Sequence, residues 1–150
     1  MPLSVLLVDD HIGIRRALRR ALSDMCSLQI VGEADSVAST LESVERTRPD
    51  AIVLDFQLPD GNGLAVIQAL RGASTTVACH TPPYTPLIFV FSNYVLPEQT
   101  QACLRLGADA VLDKSTELMR LRRLLQLAVQ TIPPQAPTDV NRAALNLHVL

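Results

Sequence analysis

Four apolar runs in this 150-residue chain stop on residues that carry chemistry. Leu3 to Val8 runs into Asp9 and Asp10, Ala51 to Leu54 into Asp55, Leu87 to Phe91 into Ser92, and Ala110 to Leu112 into Asp113 and Lys114. Taken singly, each has a plain explanation: carboxylates favour a helix N-terminus, and aspartate is a common turn residue. Taken together they put Asp9, Asp10, Asp55, Ser92 and Lys114 at strand ends. If the strands are parallel, these residues meet at one edge. Carboxylates brought that close repel one another and resist ionising unless a cation joins them. An all-oxygen set with few protein ligands suits Mg2+ better than zinc. His11 follows the first pair and is read as a residue behind the ligands or on the surface rather than as a ligand itself. Lys114 stands out for a second reason. It is the single lysine among 13 basic residues, where a compact ammonium replaces the planar guanidinium used elsewhere.

Convergence of this kind requires an open parallel sheet, whose ligands bind outside the carboxyl ends of the strands where strand order reverses. The pattern supplies one. Apolar runs at 4–8, 29–33, 51–54, 87–91 and 110–112 alternate with stripes at helical spacing: Ile14, Leu18, Leu22 and Met25; Val37, Leu41 and Val44; Leu64, Ile67 and Leu70; Ala102 and Leu106. A fifth helix is expected over about 116–130. Its apolar residues, Leu118, Met119, Leu121, Leu124, Leu125, Leu127 and Val129, cover more than one face, which fits either burial on the sheet or a dimer or partner surface. Ser36 reads as an N-cap, Pro97 as the first turn of a helix, and Gly107 as a left-handed C-terminal residue. The expected domain is 1–130. Residues 72–86 read as a long surface loop, and 131–150 as a proline-rich linker and apolar tail with no separate output domain.

Composition narrows the function. A net charge of −2 and 3% aromatic content with no tryptophan give neither a basic field nor a stacking surface for nucleic acid. No apolar run reaches the length of a membrane span, and Leu3–Val8 is too short for a signal peptide. Cys26, Cys79 and Cys103 lack paired spacing and read as reduced thiols of a cytoplasmic protein; Cys79 and His80 offer too few ligands for a zinc site. Arg15, Arg16, Arg19 and Arg20 form a basic stripe on the first helix, either solvated or a docking face for an acidic partner.

The combination LLVDDH, LDFQLPDGNGL, strand-end Ser92 and GADAVLDKS resembles the receiver domain of two-component response regulators, over about residues 3–130. The resemblance implies an α/β, doubly wound, five-stranded parallel sheet of flavodoxin-like order 2-1-3-4-5 with helices on both faces. It implies that Asp55 accepts a phosphoryl group from a sensor histidine kinase or phosphotransfer protein. Mg2+ would be held by Asp10, Asp9, Asp55 and the backbone carbonyl of Gln57, with Lys114 and Ser92 reaching the phosphoryl oxygens. The expected role is that of a single-domain regulator that modifies only itself. Its signal would pass to a downstream protein target, without direct DNA or membrane binding, in a chain able to form a homodimer.

Three departures from that family's pattern stand out: Val111 where an aromatic residue is frequent, Ser115 where proline commonly follows the lysine, and Asn93 and Tyr94 beside Ser92. They keep open a second reading, a pseudo-receiver that acts as a phosphorylation-independent interaction module. Two enzyme-like readings are weaker. A haloacid-dehalogenase-like phosphatase wants an acid where Gln57 stands, and a flavodoxin-like cofactor carrier wants a glycine-rich phosphate loop where Asp9 and Asp10 would repel the ligand.

Overall fold

The computed structural model describes residues 2–72, 84–93 and 95–131. The greater part of the 72–86 loop, Cys79, His80, Tyr94 and the tail beyond residue 131 lie outside them. The elements are β1 (Leu3–Val8), α1 (Ile12–Leu22), β2 (Leu28–Ala34), α2 (Val37–Thr47), β3 (Ala51–Leu54), β4 (Gln57–Leu58), β5 (Gly61–Asn62), α3 (Gly63–Gly72), β6 (Leu87–Ser92), α4 (Pro97–Leu106), β7 (Ala110–Asp113) and α5 (Leu118–Thr131). Five strands form a parallel sheet of order β2-β1-β3-β6-β7, which is the expected 2-1-3-4-5 once the two-residue strands β4 and β5 are set apart as their own antiparallel pair.

The continuous apolar runs follow from burial on both faces. Successive side chains alternate across the sheet. Val5, Leu7, Ala51, Val53, Leu87, Phe89 and Phe91 pack with Leu18 and Leu22 of α1 and Leu121, Leu124 and Leu125 of α5. Leu6, Val8, Ile52, Leu54, Ile88 and Val90 pack with Val44 of α2, Val66 and Ile67 of α3 and Cys103 of α4. Full burial of each large side chain, such as Leu6, Ile52 or Phe89, contributes about 1.5–3 kcal/mol.

Helix ends follow the sequence signals. Ser36 accepts the Ser39 N–H at 3.0 Å, Pro97 opens α4, and Gly107 closes it at φ 115. Two expectations are corrected. The α4 face on the sheet is centred on Cys103, while Leu106 is exposed. The last helix begins at Leu118, because Asp113 and Glu117 first build a turn: the Glu117 carboxylate accepts the Asp113 N–H at 3.0 Å, and the Glu117 N–H donates to the Asp113 carbonyl at 2.9 Å. Within α5, Leu121, Leu124, Leu125 and Ala128 are buried on the sheet, and Met119 stands in solvent at 73% exposure.

Candidate functional site

Register brings the strand ends together. Val8 pairs with Leu54 and Leu54 with Val90, so Asp9 and Asp55 each emerge one step beyond paired strand residues. Their amides extend the ladder: Asp9 N–H donates to the Ala34 carbonyl at 3.0 Å and Asp55 N–H to the Val8 carbonyl at 2.9 Å. On the other side Ser92 pairs with Asp113, and the Lys114 N–H donates to the Ser92 carbonyl at 3.2 Å. Strand order reverses between β1 and β3, where such sheets bind ligands.

The side chains form one connected cluster. The Ser92 hydroxyl donates to Asp55 Oδ1 at 2.7 Å. Lys114 Nζ lies 3.2 Å from Asp55 Oδ2 and also donates to Asp9 Oδ2. All of this is out of water: the side chains of Asp9, Asp55 and Lys114 are 1%, 7% and 10% exposed. Asp10 is more open and stands at the mouth. A cleft of about 780 Å³ reaches the cluster, lined by Asp10, His11, Asp55, Gln57, Ser92, Asn93 and Lys114 among others.

The structure therefore gathers all six residues named from the sequence, and it turns the exposed His11 imidazole toward the two neighbouring carboxylates. The imidazole Nδ1 is 2.9 Å from Asp10 Oδ1 and 3.4 Å from Asp9 Oδ1. Donor atoms of Asp9, Asp10 and His11 all lie within 4.8 Å of one another, whereas Asp55 joins Asp9 through the Lys114 ammonium. Nothing in the sequence fixed the imidazole's direction, since it depends on how α1 leaves the strand.

Lysine is aimed without help from proline. Asp113 Oδ1 accepts both the Ser115 N–H at 2.8 Å and the Ser115 hydroxyl at 2.6 Å, closing a side-chain turn around Lys114. These bonds hold the Asp113 carboxyl below its ordinary range. Val111 is half-buried and borders a cavity of about 140 Å³ with Ser92, Val95 and Thr100. The basic stripe on α1 divides. Arg15 and Arg19 both pair with Glu33 of β2, at 2.9 and 2.8 Å, and the Arg15 guanidinium also donates to the Asp9 carbonyl. Arg16 and Arg20 are exposed.

Fold and cleft define a flavodoxin-like α/β protein with an acidic pocket at the switch point of its sheet. A family model described as the response regulator receiver domain matches residues 5–126, and the chain belongs to that family, the receiver domains of two-component systems. It is 34% identical over 143 residues to the DNA-binding transcriptional activator DevR/DosR of Mycobacterium tuberculosis, covering 95% of this chain and 60% of that one. It is 31% identical over 146 residues to the nitrate/nitrite response regulator protein NarL of Escherichia coli, covering 96% and 63%. The chain thus spans about 60% of the length of these curated relatives. Among solved structures, the receiver domain of AraT, a response regulator from Geobacillus stearothermophilus, matches with a TM-score of 0.70 at 25% identity, over 87% of this chain and 95% of that one. The isolated receiver domain of RcsB from Salmonella enterica serovar Typhimurium shares the fold, with a TM-score of 0.74 at 19% identity over 97% of this chain and 99% of that one.

Proposed function

We propose that the chain is a phosphorylatable receiver in which Asp55 accepts a phosphoryl group from a phosphohistidine on a sensor histidine kinase or phosphotransfer protein. The observation that carries this reading is the Asp9–Lys114–Asp55–Ser92 cluster at the floor of an open cleft. A carboxylate oxygen of Asp55 attacks phosphorus. The P–O bond forms as the P–N bond breaks, and the bonding pair leaves with the donor imidazole.

The donor set fits a divalent cation. Asp9 and Asp55 share the Lys114 ammonium and Asp10 lines the cleft beside them, an all-oxygen set of carboxylates whose remaining negative charge a hard divalent cation would balance. Asp10, Asp55 and the backbone carbonyl of Gln57 would hold Mg2+, with Asp9 behind them. When bound, the ion neutralises charge on the phosphoryl oxygens and on the carboxylates that line their approach. The remaining work falls to the chain. Lys114 supplies a fixed positive charge to the transferred group, and Ser92 donates to one of its oxygens instead of to Asp55. That exchange moves the segment joining β6 to α4, and the α4–β7–α5 surface passes the signal to a downstream protein. Arg16 and Arg20 are exposed on α1, the helix whose first residues line the cleft, and an acidic phosphodonor would dock on that face.

Intact-mass analysis after incubation with acetyl phosphate and Mg2+ tests the reading. One phosphoryl adduct, absent in Asp55→Asn and with chelator, is the expected result. An unmodified chain that also takes no phosphoryl group from phosphohistidine donors favours the pseudo-receiver.

A further inference from the structure

An α-helix leaves its first four N–H groups without partners inside the helix. In α2 the helix's own capping box serves two of them: Ser36 Oγ accepts the Ser39 N–H at 3.0 Å, and Ser39 Oγ accepts the Ser36 N–H at 3.0 Å. The two between them are served from a different part of the chain. Asp60 Oδ1 accepts the Val37 N–H at 2.7 Å, and Asp60 Oδ2 accepts the Ala38 N–H at 3.0 Å. Both oxygens of one carboxylate thus sit on the positive end of the helix dipole. The two backbone N–H groups hold the Asp60 carboxyl below its ordinary range.

Asp60 lies in the turn of the β4–β5 hairpin, which begins with Gln57, two residues after Asp55. With only two pairs, Gln57 with Asn62 and Leu58 with Gly61, such a hairpin does not support itself. Its place is fixed from outside. Asn62 Oδ1 accepts the Leu64 N–H of α3 at 2.9 Å, and the Gly63 N–H donates to the Phe56 carbonyl at 2.6 Å. At the tip a Cβ on Gly61 would come within 3.2 Å of Val37 Cγ2, so hairpin and α2 are in close contact there.

We infer that Asp60 is a positioning residue for the acidic pocket: by clamping the hairpin to the start of α2, it holds Gln57 and the Asp55 strand end where they bind a divalent cation. The inference rests on the metal site of the proposed function. Removing the clamp frees the tip of the hairpin, and the Gln57 backbone loses its fixed relation to Asp10 and Asp55. Supporting groups of this kind set metal affinity by about 10–100-fold.

Three variants separate positioning from simple helix capping: Asp60→Ala, Asp60→Asn, and Ser36→Ala, which weakens the same helix end from its own side. Mg2+ affinity is measured by calorimetric titration of each folded chain, and the melting temperature is recorded alongside. The expected result is a dissociation constant raised about tenfold or more in Asp60→Ala, an intermediate rise in Asp60→Asn, which keeps one acceptor oxygen, and a value near the parent's in Ser36→Ala despite its lowered melting temperature. Equal affinity in all four chains overturns the inference, as does a rise that merely follows the loss of stability through Ser36→Ala. A parent chain that binds no Mg2+ overturns the metal site and the inference together, whereas parent binding with unchanged Asp60→Ala overturns the inference alone.

Discussion

Asp55, just past β3, and Ser92, the last residue of β6, share one hydrogen bond, and the segments that lead on from them are built differently. After β3, the chain from Asp55 to Asn62 is tied to α2 through Asp60, to α3 through Asn62, and to itself through Gly63 and Phe56. At the end of β6, among the described residues, Ser92 donates to Asp55 and accepts the Lys114 N–H on its carbonyl, and the Leu96 N–H donates to the Gln99 side chain at 3.0 Å. Beside Ser92 lies a cavity of about 140 Å³, bordered by Val95 and Val111. A nucleophile gains from a fixed position, because misplacement slows transfer steeply. A switch needs an element with two arrangements. On the proposed function, the first task falls to the β3–α3 segment with its ties to α2 and α3, and the second to the β6–α4 segment, where Val111 borders the cavity.

The largest effect is expected where both segments share a charge. Lys114→Ala leaves Asp9 and Asp55 buried without a counter-ion, and urea unfolding should register a loss of about 3 kcal/mol, partly restored by Mg2+. Adduct formation from acetyl phosphate should slow by about 100-fold. Lys114→Arg should not restore the rate, because a planar fork cannot replace the point charge shared by the two carboxylates. A Lys114→Ala chain of parental stability would break the comparison at its centre.

Ser92→Ala comes next. It removes the 2.7 Å bond to Asp55, worth about 1 kcal/mol, and with it the link between the segments. Amide hydrogen exchange should change after phosphorylation in the β6–α4 segment of the parent and stay the same in Ser92→Ala. In the β3–α3 segment both chains should remain protected. A change confined to β3–α3 would contradict the proposed route from Ser92 to α4.

The smallest effect is on acid stability. The carboxyl of Asp60 titrates lower in the folded chain than unfolded, so the unfolded state binds its proton first as pH falls. The clamp's contribution is therefore complete above the ordinary aspartate value of about 4 and is lost as pH drops through the lowered folded value. Across that window Asp60→Asn should show a shallower fall in urea midpoint than the parent. Equal slopes would mean the contact with α2 does not persist in solution.

Much of the pocket was legible in the sequence because buried parallel strands are unbroken apolar runs, against which Asp9, Asp55 and Lys114 are conspicuous. Caps were legible for a similar reason: Ser36, Pro97 and Gly107 act within one turn of where they stand. Less was legible where the outcome depends on distant partners. Asp60 serves a helix 23 residues earlier, and its type alone suggests only a turn. Glu33 recruits Arg15 and Arg19 from a stripe that read as either solvated or a docking face. Helical spacing offered Ala102 and Leu106 for α4, but the sheet receives Cys103, whose thiol is pushed up to about 11 by burial. A cysteine is easily passed over as core, although it behaves there as a small apolar residue.

The most direct test of the account is to locate the phosphoryl group. An acyl phosphate on aspartate is reduced by borohydride to homoserine, which peptide mass spectrometry places in the sequence. After incubation with acetyl phosphate and Mg2+, the account predicts homoserine at Asp55, with Asp9 and Asp10 unchanged. Homoserine at Asp9 or Asp10, or a phosphorylated chain intact at Asp55, would contradict it.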